Sequence, residues 1–215
     1  MLQKLILRQE VKEMLLGYIC TDRIKPGQRL SLPDLARDLG VSATPIREAL
    51  TQLSESGIVR YIANRGFFVA ELSREEAAEI YQLMATLECE AIRRIEFDAA
   101  TLEGLASINA EMEAATSSRE ALLLDRKFHQ ALIKKYRNQT AHKIVEDLRV
   151  RVVLYEYAFW SDEMAEDSVP AHQRILECLA SGNKQQAIEE LRSNWLVSIE
   201  SIAASMQREA SGSEA

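Results

Sequence analysis

Asp125 and His129 stand four residues apart in the stretch LDRKFH, and His172 follows on a separate helical stretch, so two of the chain's three histidines are placed to meet a carboxylate. Residues four apart on a helix project from one face, one turn apart. One carboxylate oxygen and two imidazole nitrogens form a mixed donor set suited to zinc, nickel, iron or manganese. The same spacing also serves an ordinary ion pair along a helix, and the residues by themselves leave both roles open. A metal-dependent hydrolase built on Asp125, His129 and His172 is the enzymatic alternative. No identifiable nucleophile, general base or glycine-rich phosphate loop accompanies these three residues, so that alternative lacks its remaining parts.

A second stretch points to different chemistry. Residues Leu30 to Leu53, LSLPDLARDLGVSATPIREALTQL, read as two short helices joined by a tight turn. Ser31 is expected to cap the first, with Asp34 closing a capping box and Gly40 ending the helix. Ser42 is expected to cap the second. Pro45 falls in its first turn, where a missing N–H costs nothing, and Ile46, Ala49, Leu50 and Leu53 recur on one face. This helix-turn-helix pattern inserts its second helix into the DNA major groove, N-terminal turn first. Ser42, Ala43, Thr44 and Arg47 are the candidates for the exposed side. After Gly57 the run IVRYIANRGFFVAEL alternates as two short strands around Ala63 to Gly66, and a helix pair followed by a hairpin is a winged helix. Asn64, Arg65 and Gly66 form its tip, placing an arginine to reach a phosphate or the minor groove.

These stretches need scaffolds, and the chain provides two. Its 215 residues, 47% hydrophobic and 27% charged, suit one large or two small globular domains. A helix from Leu5 to about Thr21 and a turn from Asp22 to Gln28 precede the helix-turn-helix. Glu71 to Ser73 is the expected boundary, separating a winged domain of residues 1–72 from an all-helical domain of residues 73–215. In the second domain the apolar spacing predicts six helices, over Arg74–Phe97, Ala99–Thr116, Glu120–Lys135, Asn138–Trp160, Ser161–Ala180 with an interruption near Pro170, and Lys184–Gln207. REASGSEA is expected to fray. The fold class is mainly α, a winged helix-turn-helix with a small β-hairpin followed by an antiparallel six-helix bundle. Arg149, Arg151, Tyr155 and Tyr157 lie on the fourth bundle helix as candidate cavity residues. Arg149 and Arg151 do not share a face, so at most one is expected to point inward. His142 is expected to be exposed, and Trp160 and Trp195 to pack or dimerise.

Residues 1–72 hold ten lysines and arginines against eight acids, whereas the remainder holds sixteen against twenty-five, within a net charge of −7. The basic excess falls where phosphates would be met. Cys20, Cys89 and Cys178 are far apart, form no CxxC pair and read as reduced core thiols. With neither a membrane-spanning run nor a signal-like block in the sequence, the chain is expected to be cytoplasmic.

GVSATPIREAL followed by GIVRYIANRGFFVA resembles the DNA-binding half of the GntR family of bacterial transcription regulators, and the match covers roughly the first seventy residues. Ala43 stands where the family has an arginine, while Arg47 keeps the arginine of the family's VREAL run. The helical half resembles the effector (FCD) domain of the FadR-type branch, and six helices favour its VanR-like subgroup. The resemblance implies a ligand-responsive regulator, commonly a repressor, that binds a pseudo-palindromic double-stranded operator as a homodimer and responds to a small-molecule effector. It also implies a divalent metal (Zn, Ni or Mn) on Asp125, His129 and His172, which match the family's Asp-x3-His and the histidine that opens its fifth helix. The family's fourth ligand, a histidine on the last helix, aligns with Asn194, a weaker neutral ligand or a direct partner of the effector. Met84 replaces an arginine one turn before Glu88, which weakens the case for a carboxylate effector held by an arginine clamp. The implied effector pocket comprises Asn194, Glu88, Met84, Arg149 and Tyr155.

Overall fold

Val11 and Leu15, one turn apart on α1 (Leu2–Ile19), are buried against α3 (Ala43–Glu55) across a core that also takes in α2 (Leu32–Leu39). These relations come from a computed structural model that describes residues 2–19 and 24–212. Ser31 caps α2, its hydroxyl oxygen accepting from the Asp34 N–H at 3.4 Å, while the Asp34 carboxylate pairs with Arg37 at 2.7 Å. Gly40 closes the helix at φ 65, a left-handed conformation that costs glycine nothing. Ser42 occupies the N-cap of α3 but makes no side-chain cap bond, contrary to expectation. The helix is held instead by its buried face, because Ile46, Ala49, Leu50 and Leu53 are all fully buried.

The expected hairpin is β2 (Val59–Ile62) paired antiparallel with β3 (Gly66–Val69). A third strand, β1 (Arg29–Leu30), adds to the other edge of β3, giving the order β1-β3-β2. Two residues are too few to show alternation, so the sequence concealed this strand.

Two compact units emerge, Met1–Ser73 with Asp147–Ala158 and Arg74–Glu146 with Phe159–Ala215. The second comprises α4 (Arg74–Arg94), α5 (Ala99–Glu113), α6 (Ser118–Ile133), α8 (Asp162–Ala180), α9 (Lys184–Gly212) and the N-terminal part of α7 (Gln139–Phe159). α9 packs on α4 and α8, and α5 and α6 pack on each other and on α8. Ser117, Ser161 and Asp98 cap α6, α8 and α5 through side-chain oxygens. Several helix ends fall a few residues from their expected places, α4 stopping at Arg94 before Phe97 for example. α8 runs through Pro170 without a break, since Ser168, Ala171, His172 and Ile175 on either side are buried. α9 continues to Gly212.

The C-terminal part of α7 belongs to the first unit, where Leu154 joins the core and the Tyr155 hydroxyl both accepts from the Ser73 N–H and donates to the Ser73 carbonyl, at 3.1 Å each. Arg151 donates to the Gly57 carbonyl at 2.5 Å, and its aliphatic stem lies 3.2 Å from where a Gly57 Cβ would stand. Gly57 has φ 73, a left-handed conformation that favours glycine. Both Arg149 and Arg151 are buried, against the expectation that only one would be. Cys89 is buried with its thiol directed at the Ile188 carbonyl, Cys178 is half-buried, and Cys20 lies outside the described residues, as do Thr21 and Asp22 at the predicted helix-to-turn junction. No helix among the described residues is long and apolar enough to cross a membrane.

Candidate functional site

The first turn of α3 presents Ser42, Ala43, Thr44 and Arg47 to solvent, while Pro45 and Ile46 between them are buried. The buried pair fixes the turn and the exposed four form one surface. In the wing, Asn64 at φ 62 and Gly66 at φ 95 bend the chain around Arg65. The Arg65 guanidinium lies over the Phe68 ring at 5.4 Å, a cation–π contact that leaves its N–H groups directed outward. Tyr61, 59% exposed and tilted against Phe67 at 5.0 Å, adds an aromatic beside this surface that sequence spacing did not single out.

In the second unit the three predicted metal donors converge. One donor atom from each of Asp125, His129 and His172 lies within 4.8 Å of the others, and all three residues are buried. Each imidazole is held through Nδ1. His129 Nδ1–H donates to Glu88 Oε2 at 2.7 Å, and His172 Nδ1–H donates to Asn109 Oδ1 at 3.2 Å. Asn109 is oriented in turn by donating to the Val169 carbonyl at 3.1 Å. Held in this way, each ring carries its proton on Nδ1 and has Nε2 as its acceptor nitrogen, as metal-binding histidines require. Burial, and then the neighbouring His129, lower the His172 pKa well below its usual value, so its ring is neutral.

His172 Nε2 is fully buried and has no hydrogen-bond partner among the described residues; the Asp125 carboxylate oxygen stands 3.5 Å from it. Two acceptors facing one another in a buried space repel unless a cation lies near both. The donor set therefore fits a divalent metal.

Aromatic side chains wall the site. Phe128 stacks on His172 with ring centroids 3.8 Å apart and planes 8° from parallel, and Trp195 tilts against His129 at 4.8 Å. The Trp195 N–H donates to the same Glu88 oxygen at 2.9 Å, giving that fully buried carboxylate two donors.

Several residues expected around the pocket lie elsewhere or serve differently. Glu88 holds His129 instead of facing a cavity, and Met84 is fully buried core. Tyr155 and Arg149 belong to the first unit, with the Tyr155 hydroxyl engaged at Ser73. Asn194 does line a cavity, of about 180 Å³, between α8 and α9. His142 is half-buried, its Nε2 2.6 Å from the Tyr136 carbonyl, instead of fully exposed. Asn109 and Phe128 were not anticipated, because neither stands at a ligand spacing from the histidines in sequence. Trp195 was expected to pack or dimerise, and instead it also donates to Glu88 beside the site.

An exposed helix-turn-helix surface with a wing, joined in one chain to a helical bundle enclosing a buried Asp–His–His set, defines a DNA-binding regulator with a sensory domain. Family models agree along most of the chain. Residues 7–69 match the bacterial regulatory proteins of the gntR family and residues 79–196 match the FCD domain. The chain belongs to the GntR family of transcription regulators, and its effector half is of the FCD type. It is 33% identical over 167 residues to the Nta operon transcriptional regulator of Aminobacter aminovorans, covering 75% of this chain and 78% of that protein. It is 28% identical over 183 residues to the HTH-type transcriptional regulator YdhC of Bacillus subtilis, covering 80% of each. Among solved structures, a Rhodococcus sp. RHA1 chain described as a GntR transcriptional regulator shares the fold with a TM-score of 0.76 at 23% identity, over 92% of this chain and 97% of that one.

Proposed function

We propose that the chain is a repressor that binds a pseudo-palindromic operator as a homodimer, and that its second unit carries a divalent metal and answers to a small effector. The observation that carries the sensory half is the buried Asp125–His129–His172 set with both Nδ1 atoms held and a bare His172 Nε2. Asp125, His129 and His172 would hold the metal, which supplies a Lewis-acidic centre able to order the site and accept a further ligand atom. Glu88 and Asn109 orient the two rings, and Phe128 and Trp195 keep bulk water away. A symmetric dimer presents two identical reading helices to matching half-sites. The half-exposed Leu83 of α4 and Leu196 of α9, on helices that pack together, support an apolar face for that dimer. Effector binding free energy is linked to DNA affinity through whichever arrangement of the dimer each ligand favours. The family's relatives are regulators, which does not favour the hydrolase alternative, and we place the protein in the cytoplasm with its DNA.

Elemental analysis of protein purified without chelator or affinity tag tests the metal. Near-stoichiometric zinc, nickel or manganese is expected in the parent and little in Asp125→Ala, whose two remaining imidazoles lack the anionic ligand. Equal metal in both proteins would remove Asp125 from the site. On the DNA side, Arg47 projects exposed from the reading turn, with no side-chain partner among the described residues. Arg47→Ala should weaken operator binding by about 1–3 kcal/mol and relax specificity at one base pair if the guanidinium reads a base edge. Fluorescence anisotropy on the operator and its single-base variants measures both effects; unchanged affinity would place Arg47 off the DNA.

A further inference from the structure

The cavity of about 180 Å³ between α8 and α9 is lined by Ser168, Ala171 and Arg174 from one helix and by Asn194, Ser198 and Ser201 from the other. Two of these side chains are polar, more than nine-tenths buried and without a hydrogen-bond partner among the described residues: the Asn194 amide, 7% exposed, and the Ser168 hydroxyl, 3% exposed. The Ser198 hydroxyl donates to the Asn194 backbone carbonyl at 3.1 Å and does not engage its side-chain amide. The Asn194 amide offers two donors and an acceptor, and the Ser168 hydroxyl one donor and two acceptor lone pairs, to whatever occupies the cavity. By contrast, the larger hollow of about 770 Å³ between α5, α6 and α8 has Asn109 as its buried polar group, and Asn109 is already bonded on both sides.

The charges around the smaller cavity indicate what it accepts. Its one cation, Arg174, is tied to Glu190 at 2.8 Å, and Asp167 at the rim repels anions. What remains is neutral, with hydroxyls at Ser168, Ser193, Ser198 and Ser201 and the amide of Asn194. The volume equals that of about six waters, or one compact molecule of roughly ten non-hydrogen atoms. Ser168 lies one helical turn before His172 on the same face of α8.

We propose that this cavity binds a small uncharged polyol, hydrogen-bonded by the Asn194 amide and the Ser168 hydroxyl. As the effector of this regulator the polyol rests on the function proposed above; as a ligand of the cavity it does not. Glycerol, xylitol and myo-inositol are the probes, titrated calorimetrically into the full-length protein with and without prior chelation, beside malonate as an anionic control. At least one polyol is expected to bind saturably, with affinity reduced tenfold or more in Asn194→Leu and in Ser168→Ala while both variants keep the parent's circular dichroism and melting profile. Because Ser168→Ala removes one oxygen, it reports even where Asn194→Leu folds poorly. No saturable binding of the three polyols up to on the order of 10 mM, binding indifferent to both substitutions, or binding of malonate in their place overturns the proposal. Operator affinity measured with the bound polyol separates the two claims. An unchanged operator Kd leaves the polyol site standing and removes its effector role, whereas a metal-dependent anion that shifts the operator Kd keeps the sensory reading and removes the polyol.

Discussion

Glu88→Leu is expected to lower stability by about 2–6 kcal/mol, because two buried donors, the His129 Nδ1–H and the Trp195 N–H, lose their common acceptor and each unpaired donor costs about 1–3 kcal/mol. Against a total of roughly 5–15 kcal/mol that is a large fraction, and for a chain of this length it corresponds to a melting point lower by roughly 10 °C. Glu88→Gln keeps an acceptor oxygen and should lose clearly less. Metal affinity should fall about 10–100-fold in both, since the His129 ring is no longer held by a carboxylate. Thermal melts of the two variants decide the point. A Glu88→Leu protein that melts with the parent would mean that the carboxylate's own desolvation offsets both hydrogen bonds, a balance known for buried charges.

The second large effect belongs to the reading helix. Ile46 is completely buried in the first turn of α3, between the exposed Thr44 and Arg47. Ile46→Ala removes three carbons from a closed core and should cost about 2–5 kcal/mol, the spread reflecting how far the cavity collapses. Operator affinity should fall with it although no DNA-facing atom is changed, because the turn that presents Arg47 is fixed from inside. Chemical denaturation and operator binding measured side by side test this. A destabilised variant that binds DNA with parental affinity at low temperature would show that the turn holds its geometry without Ile46.

Local chemistry made the reading surface and the metal donors legible. Pro45, Ile46 and Leu50 announce a helix start and its inner face within one stretch, and Asp125 with His129 announce a shared face through their spacing. What supports those donors was not legible. Glu88 meets His129 across 41 residues, and Asn109 meets His172 across 63. An asparagine or a glutamate in an amphipathic helix carries no sign of a partner so distant. Tyr155 was misplaced for a related reason. Periodicity on α7 marks which residues turn inward, but it cannot say toward which core, and residues Asp147–Ala158 serve the winged unit. Pro170 misled in the opposite sense, since the local rule predicts a break and burial on both sides of the residue overrides it.

That proline leaves its mark nonetheless. Having no N–H, Pro170 cannot bond the carbonyl of Glu166, so the backbone ladder of α8 lacks a rung just before His172. A helix with a missing rung yields to bending there more readily than elsewhere. α8 is thus a rod with a compliant joint, placed between the Ser168 hydroxyl and the ring that faces Asp125. A small load at the joint would swing that ring by a fraction of an ångström, a displacement to which coordination distances are far more sensitive than apolar packing.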